Sequence, residues 1–410
     1  KMNNNFINKK KFNYYFINIL IFFSTIPYVS IYPIKTDIQP IIFILAFIFI
    51  LNFILTEKIR FTKFEIYFMF MILISLFYIN IFSDYEYFFQ KRVSFLLAFL
   101  LYFIMTRFSH YINFNYILFG LILNFLAAIF HYYYPELFNQ IFSGNIIRVV
   151  KIKNNFDLIY RGVSGLTTEP SFLSVISLYI IVLSLYFKNY IQKTTLIFSL
   201  ILSLIMLILS NSGTGFIILI IYFFLYVLIL PKFYISKIFI ILVIFSCSLI
   251  FVIYSSSTGR MYEFINALTE GKLINSIFYD SSFTFRFISF AIGIESFFNQ
   301  FYLFGHGVGS INHKASQVAL DSNWSLLKNN VELTSSILSS FSYYLFELGI
   351  FFFLFILIII LKFKLELNLL PLLIFVIISL TASFSIAFPP LWILIALAHT
   401  KNKIKNLSYN

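Results

Sequence analysis

The residues FNYILFGLILNFLAAIFH, numbers 114–131, contain no Asp, Glu, Lys or Arg and run apolar almost from end to end. A helix needs roughly 20 such residues to cross the hydrocarbon core of a bilayer, so this stretch reads as a membrane span. It lacks the apolar/polar alternation of a barrel strand, and its backbone must therefore close its own hydrogen bonds as a helix. Working outward, about twelve comparable stretches follow one another along the chain, at 14–31, 38–55, 64–82, 93–106, 114–131, 171–187, 194–210, 214–230, 236–254, 333–361, 370–384 and 388–399. The last two also read as one re-entrant hairpin. The fold class expected is all-α, a single polytopic membrane domain over residues 1–410.

Composition supports this reading. Of 410 residues, 60% are hydrophobic and 11% charged, against about 25% charged in a soluble domain. Such a chain cannot cover a water-facing surface. Cys247 is the one cysteine, which excludes a disulfide framework and a Cys-based zinc site. The excess of 29 basic over 16 acidic residues would suit a nucleic-acid binder, but its distribution reads as topology instead.

With the N-terminus in the cytoplasm, Lys58, Arg60 and Lys63, then Arg107, Lys188 and Lys193, Lys232 and Lys237, Lys362 and Lys364, and Lys401, Lys403 and Lys405 all fall inside. That is the positive-inside pattern, and it places the C-terminus inside as well. The short outer turns hold few cations, among them Lys35, Lys91 and Arg92. The first span follows Lys9, Lys10 and Lys11, and no small-residue cleavage site follows Ile31, so it reads as an anchor rather than a cleaved signal.

Two connections are long, 132–170 and 255–332, and both fall outside. They carry Arg148, Lys151, Lys153, Arg161, Arg260, Lys272, Arg286, Lys314 and Lys328. Cations there are not explained by topology, and they point to an anionic ligand at the outer surface, with loop solvation as the bland alternative. The first loop ends Arg161-Gly162-Val163-Ser164-Gly165-Leu166-Thr167-Thr168-Glu169-Pro170-Ser171. Proline favours the first helical position, which makes Glu169 the N-cap residue of the next span. In the second loop, Ser282, Arg286, Ser289, Gly293, Ser296 and Gln300 recur at steps of four and three among Phe and Ile. This predicts an amphipathic helix lying in the interface. Gly305-His306-Gly307-Val308-Gly309 follows; with no preceding strand it is neither a dinucleotide fingerprint nor a P-loop.

Several other groups have plain readings. Asp84-Tyr85-Glu86 is a solvated acidic turn, and His110, His131 and His399 stand near helix ends as interfacial residues. His306 and His313 fall outside and have the chemistry of bases. Glu347 lies within a span, where charge suggests function or a buried partner.

Three patches together resemble the Wzy family of O-antigen and capsular repeat-unit polymerases, within the group that includes the O-antigen ligases. They are Arg161-Gly162-Val163-Ser164-Gly165 through Pro170-Ser171; Ser210-Asn211-Ser212-Gly213-Thr214-Gly215; and Arg286 through Gly309 with Glu347-Leu348-Gly349 beyond. The resemblance implies a GT-C-type membrane glycosyltransferase in the bacterial cytoplasmic membrane. It also implies a donor built on undecaprenyl pyrophosphate and, as a further partner, a Wzz-type chain-length regulator. Gly213 stands where many relatives carry arginine. His313 comes early and is followed by Lys314 where ligases place a His-Asn pair, which favours polymerase over ligase.

Such a reaction moves a glycan from lipid pyrophosphate to a sugar hydroxyl. Arginine forks suit the departing diphosphate, and Arg161, Arg286 and Arg260 are the candidates, in that order. A base must take the hydroxyl proton; Glu169 is the first candidate and His306 the second. Gly305, Gly307 and Gly309 form the candidate substrate loop. No cofactor or metal is expected, and the displacement is expected to invert. A flippase or anion transporter is the rival from another class, but it would line its spans with charge.

Overall fold

The computed structural model describes residues 2–30, 41–56, 60–63, 65–70, 73–74, 88–142, 144, 146, 162–212, 215, 218–219, 222, 281–299, 303–307, 310–332, 340–354, 357 and 388–400. The helices are α1 (Met2–Thr25), α2 (Ile41–Thr56), α3 (Phe88–Phe108), α4 (Phe114–Tyr133), α5 (Pro135–Phe142), α6 (Pro170–Tyr186), α7 (Lys193–Leu209), α8 (Ser281–Ile294), α9 (Ile311–Asp321), α10 (Ser325–Lys328), α11 (Ser340–Leu348) and α12 (Pro389–His399). Among the described residues there is no strand, only one isolated antiparallel bridge between Val29 and Ile146. The chain is therefore all-α, as its unbroken apolar runs predict.

The helices bury an apolar core that also holds polar side chains, and they leave large apolar residues on the outside. Leu55, Phe70, Leu73, Phe119, Leu126 and Ile201 face outward, whereas Asn18, Ser24, Asn124, His131, Ser184 and Ser199 are buried. Small residues and interhelical hydrogen bonds mark several of the contacts between the helices. Gly120 of α4 lies so close to Thr25 that a Cβ there would overlap its hydroxyl. Asn124, one turn on, donates to the Thr25 carbonyl at 2.9 Å. Ser24 and Tyr179 share a 3.1 Å bond between α1 and α6, and the hydroxyls of Ser184 and Ser199 lie 3.0 Å apart between α6 and α7. Each such bond contributes about 1 kcal/mol, enough to choose a register among otherwise similar apolar faces.

Among the described residues, α4 is the one helix long and apolar enough by itself to cross a bilayer; shorter apolar helices include Pro170–Tyr186, Lys193–Leu209 and Pro389–His399. The buried residues form two clusters. The larger joins α1 to α4, α6, α7 and α12. The smaller is built from Ile288, Ala291 and Ile292 of α8, Ala315, Val318 and Ala319 of α9, Leu327 of α10 and Phe346 of α11. The second long connection thus has an apolar core of its own, contributed by residues too sparsely spaced to announce it.

Two expectations change. The stretch 333–361 is not one continuous helix: α11 ends at Leu348, Gly349 adopts φ +56°, and helix resumes at residues 350–354. The interruption is held from outside, since Ile350 N donates to the Leu303 carbonyl at 2.7 Å. The second change concerns the polar stripe of α8, expected to face the interface. Ser289 and Ser296 are buried, while Phe287, Phe290 and Phe298 face out. The Ser342 hydroxyl of α11 explains the inversion: it receives the Gly293 N–H at 3.0 Å and donates to the Ser289 carbonyl. It has entered the i→i−4 ladder of α8, and a π-turn, Glu295–Asn299, follows. Insertions of this kind bend or widen a helix.

Candidate active site at the head of the Pro170 helix

The loop leading into α6 is almost wholly buried from Gly162 to Thr168, and then turns outward at Glu169. Gly162 has φ +80°, and a Cβ there would sit 2.1 Å from the Ser210 carbonyl oxygen. Only glycine satisfies both the left-handed backbone and that approach. Val163 N then donates to the Leu209 carbonyl at 3.1 Å. The Arg161–Gly165 and Ser210–Gly215 patches, separated by about 45 residues of sequence, thus meet through Gly162 and Val163 on one side and Leu209 to Asn211 on the other.

Beyond Gly165 (φ +53°) the chain makes a turn in which Thr167 N donates to the Ser164 carbonyl at 3.0 Å. The Thr167 hydroxyl lies 2.7 Å from that carbonyl and 2.8 Å from the Glu169 carbonyl, so it ties the start of the turn to the peptide that enters α6. Glu169 is the N-cap residue of α6, with Pro170 at the first helical position, as the Glu-Pro pair predicts; its backbone is extended and its side chain makes no cap bond. The carboxylate is exposed and is touched by the Ser171 hydroxyl at 3.3 Å. A rigid backbone beneath an uncommitted carboxylate is what a general base needs.

Under this loop stands His131, read from sequence as interfacial and here fully buried. Its ring stacks on Phe138, 4.3 Å between centroids and 9° from parallel, and its Nδ1 lies 3.4 Å from the Ser164 hydroxyl. Nothing in the linear sequence marks it, because its burial depends on α5 folding back beside α4.

The third patch closes on itself elsewhere. Gly305 (φ +76°) and Gly349 (φ +56°) lie back to back: a Cβ on Gly305 would be 2.4 Å from the Glu347 carbonyl oxygen, and one on Gly349 would be 2.2 Å from that of Leu303. His306 N donates to the Phe346 carbonyl at 2.9 Å and Gly307 N to that of Glu347 at 3.0 Å. The turn captures carbonyls released where α11 stops. Glu347 is fully buried beside it.

His306, the second candidate base, is buried, stacked on Phe346 at 4.4 Å and bonded through Nε2 to the Ser296 hydroxyl at 2.9 Å. Burial, with the Lys314 ammonium adding to it, pushes its imidazole down from 6.5 to about 4. A ring so weakly basic and so engaged serves as a joint between the π-turn and the glycine turn, which leaves Glu169 the better-placed base. Between about pH 6.5 and about pH 4 the unfolded chain binds a proton that the folded one refuses, so acidification through that window weakens the fold. His306→Gln, which keeps an amide near Ser296 without titrating, is expected to flatten that loss. Melting temperatures of detergent-purified protein at about pH 7.5 and about pH 5 check it; identical slopes for wild type and variant would contradict it.

Of the other candidates, Arg161, Arg260 and Gly309 lie outside the described residues, and Arg286 is placed on α8 by its backbone. No hydrogen bond joins Glu169 to His306 among the described residues.

Sequence reading also missed Glu65. It is fully buried, forms an ion pair with Arg107 and accepts from Thr62 N at 2.6 Å, while Glu65 N donates to the Thr62 hydroxyl at 3.3 Å. Thr62-Lys63-Phe64-Glu65 is a capping box, legible in the sequence but masked by the apolar run it begins. Arg107 also donates to the Arg60 carbonyl at 2.7 Å and lies over the Phe103 ring, 3.5 Å from its centroid. The charge pattern of the sequence expects Arg107 on the inner side. No protein-family model, curated protein or solved structure matches the chain.

Proposed function

We propose that the chain is a Wzy-type repeat-unit polymerase, a GT-C-like membrane glycosyltransferase of about twelve spans working at the outer face of the bacterial cytoplasmic membrane. The observation that carries this reading is the exposed Glu169 carboxylate at the head of α6, on a buried loop docked against the Ser210-Asn211 turn. Two of the three patches behind the family resemblance meet there.

In the proposed reaction the acceptor sugar hydroxyl attacks the anomeric carbon of the lipid-linked glycan. Its proton passes to Glu169, and the bond from that carbon to the pyrophosphate oxygen breaks. Undecaprenyl pyrophosphate leaves as an anion, its charge met by Arg161, Arg286 and Arg260, whose planar forks remain protonated in apolar surroundings. Attack opposite the leaving group inverts the anomeric configuration. A Wzz-type regulator would act on the same polymer.

Incubating purified protein with lipid-linked repeat units tests the reading. The expected product is a ladder of lengths. A single transfer to a lipid core would indicate a ligase, and repeat units moved across vesicles without new bonds would indicate a flippase; either would overturn the proposal.

A further inference from the structure

Resting on that reading of the Glu169 site, we propose that His131 contacts substrate, its Nε2 hydrogen-bonding a hydroxyl of the bound saccharide. His131 is fully buried, and among the described residues its Nε2 has no hydrogen-bond partner. Folded proteins seldom leave such an atom unsatisfied, and those that do reserve it for water, ligand or chemistry. The other ring nitrogen is already engaged with Ser164, so the orphan is one defined atom.

Its neighbourhood is that of the candidate base. Ser164, which holds Nδ1, is tied through its carbonyl to Thr167, and Thr167 to the Glu169 backbone. The segment over His131 has left-handed glycines at both ends, Gly162 and Gly165, and the Ser164 bond of 3.4 Å lies at the weak end of the range. Tyr133 and Tyr134, exposed at the same corner, mark the level where apolar depth gives way to water. A polar ligand can arrive there, and the tyrosine faces suit the C–H faces of a sugar.

A hydroxyl is also the ligand the geometry admits most freely. If Ser164 donates to Nδ1, Nε2 bears the hydrogen; if Nδ1 donates, Nε2 accepts. A hydroxyl satisfies either tautomer, whereas a phosphate oxygen satisfies one alone.

The side-chain amide of glutamine reaches about where Nε2 lies and that of asparagine about where Nδ1 lies, which allows the two atoms to be separated. With lipid-linked repeat units as substrate, H131N is expected to raise KM about tenfold, and H131Q, which returns a polar group near the Nε2 position, to raise it by a smaller factor of about threefold. Melting temperatures of the purified variants, with and without the oligosaccharide released from those repeat units, complete the test. Wild type and H131Q should be stabilised by the oligosaccharide, and H131N should not. Equal KM values for the two variants, or an equal response to oligosaccharide, would overturn the assignment and reduce His131 to a support for Ser164. So would a fall in melting temperature that tracks activity in both. Should wild type form no ladder while the oligosaccharide response still separates the two variants, the polymerase reading fails and the saccharide contact stands.

Discussion

Glu169→Gln is expected to lower polymer formation by about 10²- to 10⁴-fold while leaving the amount of folded protein unchanged. Both halves follow from the geometry. The carboxylate makes no cap bond to α6 and, among the described residues, its hydrogen bond is with the Ser171 hydroxyl at 3.3 Å, an interaction that an amide oxygen retains. Because it is exposed, no buried partner among the described residues is left unsatisfied by the change. The backbone is held independently of the side chain, by the Thr167 hydroxyl and by Pro170. What the amide loses is the capacity to take a proton, and the acceptor hydroxyl is a poor nucleophile without that transfer. Chain-length profiles from cells expressing the variant, normalised to protein in the membrane, provide the measurement. Normal ladders at normal protein levels would remove Glu169 from the mechanism.

The second large effect falls on stability. Glu65→Ala is expected to destabilise the protein by about 3–5 kcal/mol, because it leaves Arg107 beside an apolar surface without its counterion. The side chain of Arg107 is 18% exposed and that of Glu65 1%, so water can relieve the arginine only in part. The same substitution removes the acceptor for Thr62 N, a cap worth about 1 kcal/mol. Arg107→Ala should do comparable harm by stranding the carboxylate, and the double variant should lose less than the sum, since neither charge then remains buried alone. Thermal unfolding in detergent across this cycle measures the coupling. Additive losses would mean that the pair is not the joint described.

The sequence showed some of these features and concealed others for identifiable reasons. The Glu169-Pro170 boundary was readable because capping is a local event, decided by a proline ring and the residue before it. The spans at 114–131, 171–187 and 194–210 lie within two residues of α4, α6 and α7 for the same reason. The direction of the α8 stripe was not readable. Three-and-four spacing gathers Ser289, Gly293 and Ser296 on one side, but whether that side meets water or protein depends on Ser342, about fifty residues later. Gly349 likewise looks unremarkable within an apolar run until the Gly305 turn is laid against it.

From residues alone came the all-helical class, the apolar runs and the uneven placing of the basic residues. Hydropathy and capping are settled within a few residues of chain. The buried His131, the Glu65 and Arg107 pair and the meeting of Gly162 with Ser210 had to await the folded molecule. Between helices whose apolar faces are much alike, individual hydroxyls, amides and glycines decide which faces touch, and those choices join residues far apart in the chain.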